Sequence, residues 1–187
     1  MKIEILSVKK LSLDLQNFRT IPQPDELHAI SAMIAINATK FWGLMESILE
    51  DGFTPTDNIL VLASGKTKLT VKEGNRRVAI LKIIHGVHPY DSFDVPTEIV
   101  ERVAALKPAW KQANLNIPCC TYDKTEIEAL DRVVSRTHGK GEKSSRDQWK
   151  AVARARHNRD FKKSQELGLD LVEAYLEHGK NLTPLQK

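Results

Sequence analysis

The chain has 187 residues, 28 Lys+Arg against 24 Asp+Glu, two cysteines and a formal charge of +4. Its 41% apolar and 28% charged content is that of a globular chain with a sizeable core, which excludes disorder throughout. No apolar run approaches the roughly 20 residues of a spanning helix, and charged Lys2 and Glu4 stand where a secretory leader needs its apolar stretch, so the expectation is a cytoplasmic protein with no membrane contact.

In chain order, Ile3-Glu4-Ile5-Leu6-Ser7-Val8 alternates as a strand, and Pro22 and Pro24 break the chain. Leu27, Ile30, Met33 and Ile34 give helical spacing over residues 25–38. A second helix is expected from Thr39 as N-cap, with Phe41, Leu44, Ile48 and Leu49 as its apolar stripe and Gly52 as its stop. Residues 58–62 and 69–71 read as a hairpin turning at Gly65. The second strand runs directly into Glu73-Gly74-Asn75-Arg76-Arg77, followed by an apolar helix that ends near Gly86.

Pro96 opens a further helix through Ile99, Val103 and Leu106, and residues 116–122 form a short strand. Thr125 and Glu128 have capping-box spacing for a helix to about Arg136. Ser145 and Gln148 repeat that spacing after the glycine loop at His138-Gly139-Lys140-Gly141. Leu167, Leu171, Tyr175 and Leu176 form the last apolar stripe. The fold class is therefore α/β (α+β), with an α/β domain over residues 1–137 and a basic helical extension over 138–187.

The most informative element is the strand–Gly–helix junction. Arg76 and Arg77 fall in the first turn of a helix, where the macrodipole already presents positive charge. Backbone N–H groups, a glycine that permits close approach and two guanidinium forks describe a phosphate site. The competing reading pairs both arginines with Glu73 and surface acids. Two apparent P-loops fail: Leu60 stands where Ser64-Gly65-Lys66-Thr67 would need its first glycine, and Glu142 precedes Lys143 in the second.

Between Lys140 and Lys163 nine basic residues face only Glu142, Asp147 and Asp160, more excess charge than the whole chain carries. Lys143, Arg146, Lys150 and Arg154, spaced 3, 4 and 4, share one helix face, as tracking a phosphate backbone requires. A solvated basic face is the alternative. His85 and His88 straddle Gly86 without a companion Cys or carboxylate set, which favours structural use. Cys119 and Cys120 sit on an apolar strand and read as core, and His138 lies in a basic glycine loop as a phosphate contact or acid–base group.

The order of parts resembles the N-terminal domain of ParB-type proteins, which share their fold with sulfiredoxin. Asn17-Phe18-Arg19 resembles the family's "NPR" segment, residues 42–52 its "LAESIREHG" helix, and Pro55 through Val61 its "QPILV" strand. Glu73-Gly74-Asn75-Arg76-Arg77-Val78-Ala79 is similar to "GERRxxA" and is the most specific match. The resemblance spans about residues 5–137. It implies a small mixed sheet with flanking helices and a nucleoside triphosphate ligand, CTP or ATP. Gly74, Asn75, Arg76 and Arg77 would line its phosphates, with Gly52, Thr54 and Pro55 along the cleft. Where the family has "ENxxR", this chain has Ser135-Arg136-Thr137-His138-Gly139. Arg136 and His138 would make the pocket more cationic and less able to hold Mg²⁺ through the protein. The sulfiredoxin cysteine is absent beside Asn75.

Three functions remain open on the sequence. One is a nucleotide-binding switch module that contacts nucleic acid, DNA above all, or another protomer as a homodimer. A second is a ParB-like nuclease or nucleotide-dependent phosphotransferase using the same cleft, with Glu73 as nearest acid–base group, Asp51 next and His138 assisting. The third is an adaptor with a vestigial pocket.

Overall fold

A computed structural model of the chain describes residues 1–16, 22–55, 58–65, 67–138, 155, 158–159 and 164–178. Its contacts divide it into two compact units, residues 1–138 and 139–187.

The first unit is built on one five-stranded mixed sheet. In chain order its elements are β1 (Lys2–Ser7), β2 (Leu11–Leu13), α1 (Glu26–Ile36), α2 (Ala38–Asp51), β3 (Ile59–Ser64), β4 (Lys68–Glu73), α3 (Asn75–Ile84), α4 (Thr97–Ala104), α5 (Pro108–Ala113), β5 (Asn116–Asp123) and α6 (Ile127–His138). The strand order is β1-β5-β3-β4-β2. β3 and β4 form the expected antiparallel hairpin, Ser64 opposite Lys68, with Gly65 at φ 80°. β5 runs parallel to β3 and antiparallel to β1. β2, a strand the sequence did not announce, lies parallel to β4 at the far edge.

Alternation along the strands explains the layers. Ile59, Val61, Ile117 and Cys119 join the larger core with Phe41, Met45, Val78–Leu81, Ile83, Ile84, Ile99 and Val103. Their neighbours Leu60, Cys120 and Tyr122 form a smaller cluster with Leu130 of α6, as the two-residue period of a strand requires. α3 is buried from Val78 to Ile84, apolar nearly all round, and is the central helix of the larger core.

Local capping differs from the sequence expectation at two helices. α2 is capped by Asn37, whose side chain accepts from Lys40 N–H at 2.9 Å, so Thr39 lies inside the helix. Met45 rather than half-buried Leu44 fills its core face. The capping box before α6 is Asp123 with Glu126, which closes a 3₁₀ turn over Lys124–Glu126, and Thr125 receives that cap instead of making one. The helix opened after Pro96 stops at Ala104, and Pro108 starts α5 as a separate short helix, since a proline at the first helical position fits where a continuing helix would not.

In the second unit, α7 spans Leu167–His178. Arg159 pairs with Glu173 at 2.6 Å and with Asp170 at 3.7 Å. Of the anticipated stripe, Leu167 is 68%, Leu171 72% and Tyr175 58% exposed, while Leu169 of the same helix is buried. The helix opened at Ser145 falls outside the described residues. Among the described residues no helix is long and apolar enough to cross a membrane.

Candidate phosphate site at a helix N-terminus

The junction between β4 and α3 is set by one glycine. Gly74 adopts φ 89° and ψ 17°, a left-handed conformation open to glycine at little cost, and caps α3 with no side chain of its own. A Cβ there would collide with Ile59 Cδ1 and stand 3.3 Å from Arg77 Nη2. The glycine is therefore required by packing as well as by the turn. Asn75 is the first helical residue, which places Arg76 and Arg77 in the first turn. There the N–H groups lack intrahelical acceptors and the dipole is positive. Both arginines are half-buried, and Arg77 Nη2 lies 3.9 Å from Glu73 Oε1.

Asn75 turns inward. It is 5% exposed; its Nδ2 donates to Val71 O at 2.9 Å and its Oδ1 accepts from Asp14 N–H at 2.9 Å. Its amide ties β4 to the residue that follows β2, so a ligand would meet its backbone N–H rather than its side chain. Asp14, itself buried, accepts from Lys72 Nζ at 2.6 Å and from Gln16 N–H at 3.2 Å. Asp14 and Lys72 were not legible as a pair, because 58 residues separate them. The only local sign was the Leu11–Leu13 alternation just before Asp14.

Gly52 closes α2 at φ 76°. A Cβ there would approach Asn114 Oδ1 to 2.8 Å, and that same oxygen accepts from Phe53 N–H at 2.6 Å while Asn114 Nδ2 donates to Trp110 O at 2.9 Å. Asn114 thus anchors the start of the segment that carries exposed Thr54 and Pro55. Ile59, the first residue of β3, sits against Gly74 at its far end. Arg136 is exposed on α6, and His138 is the last residue of that helix. Asp51 is exposed at the end of α2. Lys143, Arg146, Lys150 and Arg154 lie outside the described residues, as do Asn17, Phe18 and Arg19.

The opposite end of α3 holds a second charged cluster. Lys82, 4% exposed, donates to Glu26 Oε2, which also meets His88 Nε2 at 2.8 Å, while Glu26 Oε1 accepts from Leu13 N–H at 2.8 Å. Burial penalises the Glu26 charge, yet the Lys82 ammonium, the Leu13 amide and His88 outweigh it and hold the carboxyl below the ordinary glutamate range. His85 Nε2 donates to Asn114 O at 3.1 Å. Burial, reinforced by Lys9 and Lys111, holds His85 below the usual imidazole range. Both histidines thus have structural partners. Burial, with the neighbouring Cys120 and Glu4, pushes the Cys119 thiol up to about 12, which makes it inert as a nucleophile at neutral pH.

Chemically, the α3 N-terminus offers directed N–H groups and two guanidiniums, a combination able to hold a phosphate, with the Glu73 carboxylate beside them. Among the described residues no three His, Cys, Asp or Glu side chains gather as a metal cage. No family model matches the chain, and no curated protein matches it.

Proposed function

We propose that residues 1–138 form a ParB-like nucleotide-binding module, and that the basic extension contacts nucleic acid, DNA foremost. One observation carries the reading: two guanidiniums stand in the first turn of a ten-residue helix, against its dipole, after a left-handed glycine that supplies no side-chain cap. Directed backbone N–H groups and two guanidinium forks are donors that suit an anionic ligand, and a triphosphate supplies the charge at the right end. Backbone N–H groups of residues 75–77 and the two guanidiniums would hold the phosphates. Thr54 and Pro55, on a segment anchored by Asn114 and Ile59, would border the cleft. The mixed sheet and the Gly74 junction support the resemblance to the ParB family.

Glu73 supports the second reading, a slow nucleotide hydrolase, nuclease or phosphotransferase in the same cleft. Its carboxylate is near enough to Arg77 to be held beside a phosphate and to accept a proton there. Binding is the primary reading, because the donors at the α3 N-terminus hold a phosphate without any chemical step. A thermal-shift screen against the four nucleoside triphosphates, with and without Mg²⁺, tests the module. A shift of several degrees selective for one of them is expected, because a ligand that binds only the folded state stabilises it. No shift with any triphosphate overturns the assignment.

For the extension, reversal of charge at Lys150 and Arg154 should weaken nucleic-acid binding and flatten its salt dependence by about 1 to 2 units of slope. The same change should leave the triphosphate shift intact. No binding by the unaltered protein at low salt would leave a solvated basic face in its place.

A further inference from the structure

β1 is an edge strand of six residues, and among the described residues it pairs with β5 alone. Its register against β5 is continuous from Lys2 to Ser7. It therefore has neither the bulge nor the proline that natural edges use to discourage further pairing. In antiparallel pairing the N–H and C=O of alternate residues turn toward one neighbour and the rest turn away, so β1 presents a row of donors and acceptors on its outer side. Ile3 lies opposite Cys120 and Ile5 opposite Pro118, which places both isoleucines on the sheet face of the smaller core cluster. They are nevertheless 72% and 66% exposed. Ile127 and Val133 of α6, the helix that packs on this cluster, are also exposed at 44% and 36%.

We propose that β1 pairs antiparallel with β1 of a second copy of this chain, about a two-fold axis through Ile3, and joins the two sheets edge to edge. A two-fold interface must be self-complementary, and β1 is so at this register. Ile3 meets Ile3 of the second copy, Ile5 meets Met1, and Lys2 meets Glu4 twice. A two-fold axis perpendicular to the sheet keeps like faces on the same side. The apolar contacts therefore form on the face of the smaller cluster and the two ion pairs on the other. A register centred one residue later would oppose Glu4 to Glu4, which is unfavourable. The pairing depends on neither the phosphate site nor the basic extension.

Sedimentation velocity over a wide dilution series of the full chain tests the proposal. The unaltered protein is expected to show a reversible monomer–dimer equilibrium. Lys2→Glu alone and Glu4→Lys alone each place like charges opposite one another at two points and should weaken the dimer roughly tenfold. The double variant Lys2→Glu/Glu4→Lys restores both pairs and should restore the dimer, while Ile3→Lys should abolish it. Circular dichroism verifies that each variant keeps its fold, and because Lys2 and Glu4 are exposed either single reversal suffices if the other misfolds. A monomer at every concentration, a dimer indifferent to the single reversals, or a double variant no better than the singles overturns the proposal.

Discussion

The two ends of α3 carry similar charges to opposite effect. At the C-terminal end Lys82 is a buried cation where the dipole welcomes one, and Glu26 neutralises it while also holding Leu13 and His88. At the N-terminal end Arg76 and Arg77 are cations where the dipole resists them, next to a carboxylate 3.9 Å away from Arg77. The first arrangement is internally complete and serves stability. The second gathers two guanidiniums, the Glu73 carboxylate and directed N–H groups at one helix end, a donor set that suits an anion, which is the physical content of the proposed site. The glycine turn and the inward Asn75 amide fix the start of the helix that carries those arginines.

Removing Glu26 should break the comparison most visibly. Glu26→Ala leaves Lys82 buried without its carboxylate and Leu13 N–H without its acceptor, and should cost about 3–5 kcal/mol in urea unfolding. A loss under about 1 kcal/mol would mean that the C-terminal cluster is not the structural one. Asn75→Ala should come next, at about 2–3 kcal/mol, because Asp14 N–H and Val71 C=O both lose a buried partner. If Asn75→Ala were neutral, the N-terminal turn would not depend on that amide.

Acidification sharpens the contrast with a smaller effect. The folded state holds both His85 and Glu26 below their ordinary ranges, so each contributes stability above its unfolded pKa and loses it as the pH falls through the folded value. Stability should decline first as the pH drops below about 6.5, where an unfolded histidine protonates, and again below about 4.3, where an unfolded glutamate does. His85→Gln should remove the first decline and leave the second. Melting curves at a series of pH values check this, and a first decline that persists in the variant would place its origin elsewhere.

Much of the fold was legible because it rests on local pattern. The β3–β4 hairpin turns at Gly65 and α2 ends at Gly52, both at positive φ, and the strand–Gly–helix junction falls where the residues put it. What escaped depends on distance along the chain. β2 is three residues long and is defined by pairing with β4 some 58 residues later. Asn114 acts on Phe53 across 61 residues, and Lys82 on Glu26 across 56. No spacing rule connects such pairs. The cap assignments at Thr39 and Thr125 failed for a different reason: Asn37 and Asp123, stronger acceptors two residues earlier, took the role. Of the candidate site, the arginines and Gly74 were readable, whereas the inward commitment of Asn75 was not, since its acceptor oxygen serves Asp14, which follows β2 and lies 61 residues away.

Calorimetric titration of the full chain with the triphosphate that gives the largest thermal shift, repeated with Arg76→Ala and with Arg77→Ala, tests the proposed α3 site most directly. Circular dichroism and thermal unfolding verify that each variant keeps its fold. Each should bind roughly 10- to 100-fold more weakly, through loss of a charge-assisted hydrogen bond to the phosphates. Unchanged affinity in both variants at intact stability would contradict the placement of a phosphate at the α3 N-terminus.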